Sequence, residues 1–521
     1  LSGAEQGRDS IAWVTQLRLK FPGSPSLLFD DLTARVPAGQ KVLLLGPSGC
    51  GKSSLLQVWS GLIPGAVEVP LKYEDIGIPH SWGYVFQDPD TQFCMPYADE
   101  EIAFVLENIR VPREQMPKKI RQCLKQVGLD WIDPHVPIAS LSGGMKQRLA
   151  IASLLALQPD VWFLDEPTSL LDPEGTTEVW KTVKQVAQDK TVIIVEHKID
   201  EIVDFVDRVI LFDAGARMIA DGEPQRVFSE YKAQLKEYGI WYPGVWDDAW
   251  DRWPKRHPEP GGVPEEKEPL VRLQGLAGFH GKEKKIEAGS ARLYPGDWIA
   301  VVGNNGAGKS TLLQSLMQLI PTTGEYFLAG RPVRSFDDVA DKAAYVFQNP
   351  EMQFVTNTVF DELAFNFRRD GDAGETIQAK TEELLQWFGL DKHRDLHPYQ
   401  LSLGQKRRLS VAAATVKAQR LVLLDEPTFG QDAANTFALL GKLEAWRQEG
   451  TAIVMVTHDM EIVKRFATGV WEIREGQLAA VLSPSEYTSR YEGAGVRRSQ
   501  NEGVEGSVAG LGLPGNVAAS R

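Results

Sequence analysis

Two stretches of this sequence have the residue types and spacing to hold a nucleotide's phosphates. GPSGCGKSS (Gly46 to Ser54) follows the apolar run KVLLL and leads into SLLQVWSGLI. GNNGAGKST (Gly303 to Thr311) follows WIAVV and leads into LLQSLMQLI. Gly46, Gly51, Lys52 and Ser53, and again Gly303, Gly308, Lys309 and Ser310, satisfy Gly-x-x-x-x-Gly-Lys-Ser. Together with Gly49 and Gly306, these glycines let backbone N–H groups turn inward around anionic oxygens. The helix that follows aims its positive end at the same point. Lys52 and Lys309 would bridge the β- and γ-phosphates. Ser53 and Ser310 would ligate Mg²⁺, with the hydroxyls of Ser54 and Thr311 beside the phosphates. A glycine-rich turn would satisfy either loop alone. A strand before and a helix after, twice over, favour the phosphate reading.

The second element is an acid pair. VWFLDEPTS and LVLLDEPTF each end an apolar strand in Asp-Glu, at the edge where ligands bind in open α/β sheets. Asp165 and Asp425 would hold Mg²⁺ through water. Glu166 and Glu426, one residue on and differently aimed, would polarise the water that attacks the γ-phosphate.

The elements that must position these groups occur twice. The pairs Lys52/Lys309, Gln87/Gln348, Ser142/Ser402, Asp165/Asp425 and His197/His458 follow one order with offsets of about 260 residues, the mark of a duplicated domain. Within each copy, short β-branched apolar runs such as TVIIVEH alternate with helical stretches such as EGTTEVWKTVKQVAQ. This predicts an α/β layer with a mainly parallel sheet. The expected organisation is a first domain over 11–240, a Pro/Trp-rich linker over 241–269, a second domain over 270–492 and a disordered tail over 493–521. Trp246, Trp250 and Trp253 would share one face of a short helix. Packing of that face back onto a domain is favoured over partner docking.

The chain has 521 residues, 24% of them charged, and a net charge of −14, which disfavours broad nucleic-acid binding. Its three cysteines, Cys50, Cys94 and Cys123, have no metal spacing and fit a reducing interior. No apolar run approaches the ~18 residues needed to span a bilayer. The opening LSGAEQGRDS has neither an apolar core nor an initiator Met, so it reads as no secretory signal and as a trimmed or mis-started chain.

The ordered set of phosphate loop, LSGGMKQR or LSLGQKRR, LDEP and a strand ending in His resembles the ATPase domain of ATP-binding cassette proteins, in both repeats. The resemblance implies two P-loop NTPase domains, each with a mainly parallel core, an antiparallel β subdomain and a helical subdomain. It further implies that the two domains pair head to tail within this chain around two ATP molecules with Mg²⁺. Ser142 and Gly144 would then meet the γ-phosphate held by Lys309, and Ser402 and Gly404 the one held by Lys52. Gln87 and Gln348 resemble the glutamines that reach Mg²⁺ and the attacking water. His197 and His458 resemble the switch histidine. Asp172 and Asp432 match the acid contacted across the dimer. Phe21, and less clearly Phe279, would stack on adenine. Three departures stand out: Leu403 for Gly, Met145 for Gln, and FGQD around Asp432. Leu403 is expected to resist a glycine-like backbone and add bulk, slowing the Lys52 site relative to the Lys309 site.

QDPDTQF…DEEIAF and QNPEMQF…FDELAF resemble the ATPases of energy-coupling factor importers for vitamins or transition-metal ions, of the cobalt or hydroxymethylpyrimidine/thiamine type. There a short helix contacts a membrane scaffold that serves substrate-capture membrane proteins. The expected role is an ATP-hydrolysing coupling subunit, peripheral on the cytoplasmic membrane face, with no nucleic-acid partner. The alternatives are a ribosome-acting tandem cassette, which the Pro/Gly-rich linker and acidic charge disfavour, and a sugar-importer tandem ATPase.

Overall fold

The computed structural model describes residues 10–24, 26–169, 171, 173–251, 268–369, 371, 373–416 and 419–490. These divide into two compact units. The first takes the described residues up to 251 together with Gly430–Ala438, and the second takes the rest.

The core of the first unit is a sheet in the order Met218–Gly222, Arg208–Phe212, Lys41–Leu45, Thr191–Val195, Val161–Asp165, Trp82–Val85. Every pairing is parallel except that of the first two strands. These strands read as continuous apolar runs because both faces are covered. Along Lys41–Leu45, Leu43 and Leu45 enter one hydrophobic core and Val42 and Leu44 the other, following the two-residue period of a strand. A separate antiparallel sheet pairs Ser10–Leu19 with Phe29–Pro37, Leu71–Lys72 and Asp75–Gly77. The helices Ala98–Asn108, Met116–Gln126 and Gly143–Leu157 add a helical layer.

The second unit repeats the plan. Gln477–Leu482, Gly469–Arg474, Trp298–Val302, Ala452–Val456, Leu421–Asp425 and Ala343–Val346 form its core in that order. Here the antiparallel strands join the core through one parallel pairing, Glu287 with Gln477, so the sheet runs continuously over ten strands. The helices Val359–Arg369, Gly374–Trp387 and Leu403–Ala414 complete it. Among the described residues, no helix is long and apolar enough to cross a membrane.

The packing of the first unit extends past residue 240, into the stretch whose composition reads as linker. Trp241, Tyr242 and Val245 are buried in its core. The helix Val245–Trp250 sets Trp246 against Trp241, ring centres 5.9 Å apart. Asp248 takes Lys232 at 2.7 Å and Lys236 at 3.0 Å. Trp246 therefore packs back on the unit. Trp253 and the proposed tail lie outside the described residues, as does Asp172.

Candidate active site

Each phosphate loop joins a buried strand end to a helix. Gly51 and Gly308 cap the helices Lys52–Trp59 and Lys309–Leu316 in the left-handed region, at φ 91° and 105°. A side chain at Gly51 would meet the Phe29 ring at 2.8 Å, so both conformation and space call for glycine there. Lys52 is buried, and its Nζ donates to Gly46 O (2.8 Å) and Pro47 O (3.0 Å). Lys309 does the same with Gly303 O (2.7 Å) and Asn304 O (3.0 Å). Each lysine thus curls over its own loop, whose glycines Gly49 and Gly306 also take positive φ.

The strands Val161–Asp165 and Leu421–Asp425 carry the acids to these loops. Ser53 Oγ donates to Asp165 Oδ1 at 2.7 Å, and Tyr84 OH to Asp165 Oδ2 at 2.8 Å. In the second repeat Tyr345 OH reaches Asp425 Oδ2 at 3.5 Å, while Asp425 Oδ1 is buried without a hydrogen-bond partner and Ser310 acts to lower the Asp425 pKa. A hydroxyl and a carboxylate held together at the helix start are the hard oxygen donors that suit Mg²⁺. Glu166 and Glu426 turn away at φ 49° and 50°. Glu166 Oε1 meets His197 Nε2 at 2.9 Å and its Oε2 accepts from Gln87 Nε2 at 2.7 Å. Glu426 Oε1 lies 3.3 Å from His458 Nε2, and Glu426 also bonds the Gln348 side chain. The candidate residues of each repeat therefore converge, within one unit, into lysine, serine–aspartate and glutamate–histidine–glutamine groups.

The ABC transporter family model matches residues 29–169 and 286–429, one span per repeat. The chain belongs to the ABC transporter family. It is 36% identical to the "Putative HMP/thiamine import ATP-binding protein" of Bacillus subtilis (strain 168), over 94% of each chain. It is 32% identical to a "Putative ABC transporter ATP-binding protein" of Methanosarcina acetivorans, over 89% of this chain and 84% of that one. Among solved structures, an archaeal ribosome recycling factor in complex with ribosomal stalk protein superposes with a TM-score of 0.62 at 19% identity, over 92% of each chain. The RNase-L Inhibitor gives 0.61 at 20% identity, also over 92% of each. At such identities the likeness concerns the fold. The chain is a tandem ABC ATPase, and domains of this family bind ATP, generally with Mg²⁺.

In the cassettes the electrostatics follow from burial. Burial raises the pKa of Asp165, and the Ser53 and Tyr84 hydrogen bonds offset only part of that. Asp425 is pushed up to about 6 by burial and by Glu426, against Ser310, Lys309 and Arg407. Burial alone would also raise Glu166, but the hydrogen bond and charge of His197 and the charge of Lys52 lower it. Conversely, burial would lower His197, and Glu166 outweighs it and raises the imidazole. Glu166 and His197 therefore form an ion pair with the carboxylate ionised. Glu426 is lowered in the same way, by His458 and Lys309 against burial.

The signature serines cap their helices. Ser142 Oγ accepts from Met145 N at 3.3 Å and Ser402 Oγ from Gln405 N at 3.4 Å. Gln405 returns the bond, its Oε1 accepting from Ser402 N at 2.9 Å, which Met145 cannot do. Ser142 and Ser402 are exposed, with Gly144 and Gly404 half-buried in the first turn. The expected backbone conflict at Leu403 does not arise. Leu403 is the first residue of the helix Leu403–Ala414 and is not among the positive-φ residues. Right-handed backbone suits any side chain there, so only its exposed bulk distinguishes it from Gly143.

Phe21 is half-buried against the core beside the antiparallel sheet. Phe279 is half-buried at the end of the strand Val271–His280, in register with Lys284. Asp432 caps the helix Ala433–Gln448, its Oδ1 accepting from Asn435 N at 2.8 Å, and it belongs to the first unit.

The run after Gln87, and again after Gln348, is a three-residue 3₁₀ turn. Asp88 caps Pro89–Thr91 and Asn349 caps Pro350–Met352. Several partners escaped the sequence reading. Glu101 Oε2 accepts from Cys94 N and Met95 N, both at 2.9 Å. Glu362 does so from Val355 N (3.1 Å) and Thr356 N (2.9 Å). Lys146 reaches Asp90 at 2.7 Å and Lys406 reaches Glu351 at 2.5 Å, tying signature helix to 3₁₀ turn. The signal was available, because each pair recurs in register in both repeats.

Proposed function

We propose that this chain is the energy-coupling ATPase of a membrane importer of the energy-coupling factor type, serving uptake of a vitamin or a transition-metal ion. The observation that carries this reading is the duplicated turn after Gln87 and Gln348. Its anchored loop leaves Met352 and Val355 69% exposed, an apolar pair that favours a protein partner over water. The Bacillus relative named for HMP/thiamine import supports the same reading. The partners would be a membrane scaffold and the substrate-capture membrane proteins it serves, with this chain on the cytoplasmic face.

The site residues fall into roles on this reading. The amides of both phosphate loops, with Lys52 and Lys309, hold and orient the phosphates. Ser53 and Asp165, and Ser310 and Asp425, would hold Mg²⁺, which when bound neutralises charge on the phosphates. The ionised Glu166 and Glu426 accept a proton from the attacking water, oriented by Gln87 and Gln348. His197 and His458 hold these carboxylates in place. The work is positioning and electrostatic stabilisation. Ser142 and Gly144 would complete the Lys309 site, and Ser402 and Gly404 the Lys52 site. The part of the linker after residue 251 would supply the reach for such pairing.

The test is affinity purification of the tagged full-length chain from gently solubilised host membranes, with mass spectrometry of its partners. A small polytopic scaffold with one or more capture proteins is the expected result. Ribosomes without a membrane protein would overturn the importer reading in favour of a translation-associated ATPase.

A further inference from the structure

Among the buried positions where the two repeats differ is the one whose side chain holds the main chain of Gln87 or Gln348. In the first, Gln147 is 1% exposed, and its Nε2 donates to Phe86 O (3.4 Å) and Gln87 O (3.3 Å). In the second, Arg407 is 2% exposed, and its Nη1 donates to Phe347 O at 3.1 Å and to Gln348 O. The contacts match, while the charge does not. The Arg407 guanidinium acts on both Glu426 and Asp425, and its own pKa is lowered to about 10 by burial, so it stays a cation at neutral pH. Its Nε is buried with no hydrogen-bond partner. A buried cation costs several kcal/mol in desolvation unless nearby anions offset it. The first repeat makes the same anchoring contacts without that cost.

We propose that Arg407 is a positioning residue that makes the two nucleotide sites electrostatically unequal, so that the Lys309 site depends less on Mg²⁺ to hold ATP than the Lys52 site. The inference rests on the phosphate-site reading above. Arg407 fixes the main chain of Gln348, whose side chain bonds Glu426. Its charge also partly cancels that of the Asp425–Glu426 pair. Less net negative charge beside the phosphates weakens their repulsion when no cation is present. The same charge opposes a divalent cation at Asp425. Both effects act in one direction, and low dielectric screens them little. At the Lys52 site the neutral Gln147 leaves Asp165 and Glu166 uncompensated from this side.

The experiment measures equilibrium binding of a fluorescent ATP analogue to the full-length chain, in EDTA and across a Mg²⁺ titration. Lys309→Ala isolates the Lys52 site and Lys52→Ala isolates the Lys309 site. The ratio of affinities with and without Mg²⁺ should be larger at the Lys52 site by about three- to tenfold. Arg407→Gln, in the Lys52→Ala background, should raise the ratio toward that of the Lys52 site. Gln147→Arg, in the Lys309→Ala background, should lower it. Arg407→Lys keeps the charge and should keep the ratio while loosening Gln348, which separates charge from packing. An unchanged ratio in Gln147→Arg, or in a folded Arg407→Gln, overturns the proposal. If the lysine variants themselves leave binding intact, the site assignment fails instead, and the two failures are distinct.

Discussion

His197 Nε2 lies 2.9 Å from Glu166 Oε1, while the other oxygen of that carboxylate takes Gln87 Nε2 at 2.7 Å. One carboxylate is thus held from the strand end Thr191–Val195 on one side and from the segment after Trp82–Val85 on the other. Glu166 N also donates to Val195 O at 2.8 Å, fixing the acid's strand to its neighbour. Three sequence-distant segments agree on one position. A proton-accepting group needs that constraint, because a small misplacement of the base costs rate steeply.

Removing the base from each site in turn should have unequal effects. With Leu403 placing bulk on the signature proposed to complete the Lys52 site, that site is expected to turn over more slowly. Glu426→Gln should then remove most ATPase activity, and Glu166→Gln the smaller part. Loss of a general base costs about 10²–10⁴ at the affected site. Steady-state phosphate release by the two single variants is the measurement. Equal losses would remove the case for asymmetry.

Much of this site was legible in the sequence because its parts are short-range patterns. The phosphate loop, the acid pair and the switch histidine each sit at a strand end that an apolar run announces. Duplication placed every one of them twice. The partners that cross the fold were not legible. Tyr84 on Asp165, and Glu101 under the loop at Cys94, depend on strand order and helix docking. Leu403 shows the opposite error. The motif suggested a glycine-only backbone, yet a helix's first position imposes no such demand. Residues 241–251 fall in a stretch that reads as linker from its prolines and charges, yet Trp246 packs on Trp241 with ring centres 5.9 Å apart, as the tryptophan spacing favoured.

A double variant tests the phosphate loops together. Lys52→Ala with Lys309→Ala should reduce ATP hydrolysis by at least ~100-fold, since each lysine supplies the cation proposed to meet the phosphates. Circular dichroism should be unchanged, because Lys52 Nζ bonds Gly46 O and Pro47 O and Lys309 Nζ bonds Gly303 O and Asn304 O, all within the lysine's own loop. Retained turnover would overturn the assignment of both sites.

Glu196 gives the first cassette a pH dependence of stability. It is 3% exposed, accepts from Thr168 Oγ1 at 3.0 Å, and is pushed up to about 7 from 4.5 by burial and then by Glu166. The second repeat has Thr457 there. A folded-state pKa above the unfolded one means the native state binds more protons across that interval. Its contribution is therefore full below about 4.5 and is lost as pH rises through about 7. Glu196→Gln keeps an acceptor for Thr168 without the titration. Thermal unfolding of the variant should be less pH-sensitive between these values, with a melting temperature a few degrees above the parent's at pH 8. Parallel curves for the two proteins would show that Glu196 does not titrate in this range.

The anchored loops make the last prediction, which concerns coupling rather than catalysis. Glu362 is buried and accepts from Val355 N, Thr356 N and, at 2.7 Å, Thr356 Oγ1. Glu362→Ala strands those donors, each worth about 1–3 kcal/mol if left unsatisfied. The loop carrying the exposed Val355 should loosen, while the phosphate loop and acids stay intact. ATPase activity of the isolated chain should remain within about twofold of the parent, whereas co-purification with membrane partners should fall several-fold. Glu362→Gln retains one acceptor oxygen and should fall between. Hydrogen exchange at residues 355 and 356 checks the cause, since their amides should lose protection in Glu362→Ala. Full partner recovery alongside lost protection would mean that the anchored loop is not the docking surface.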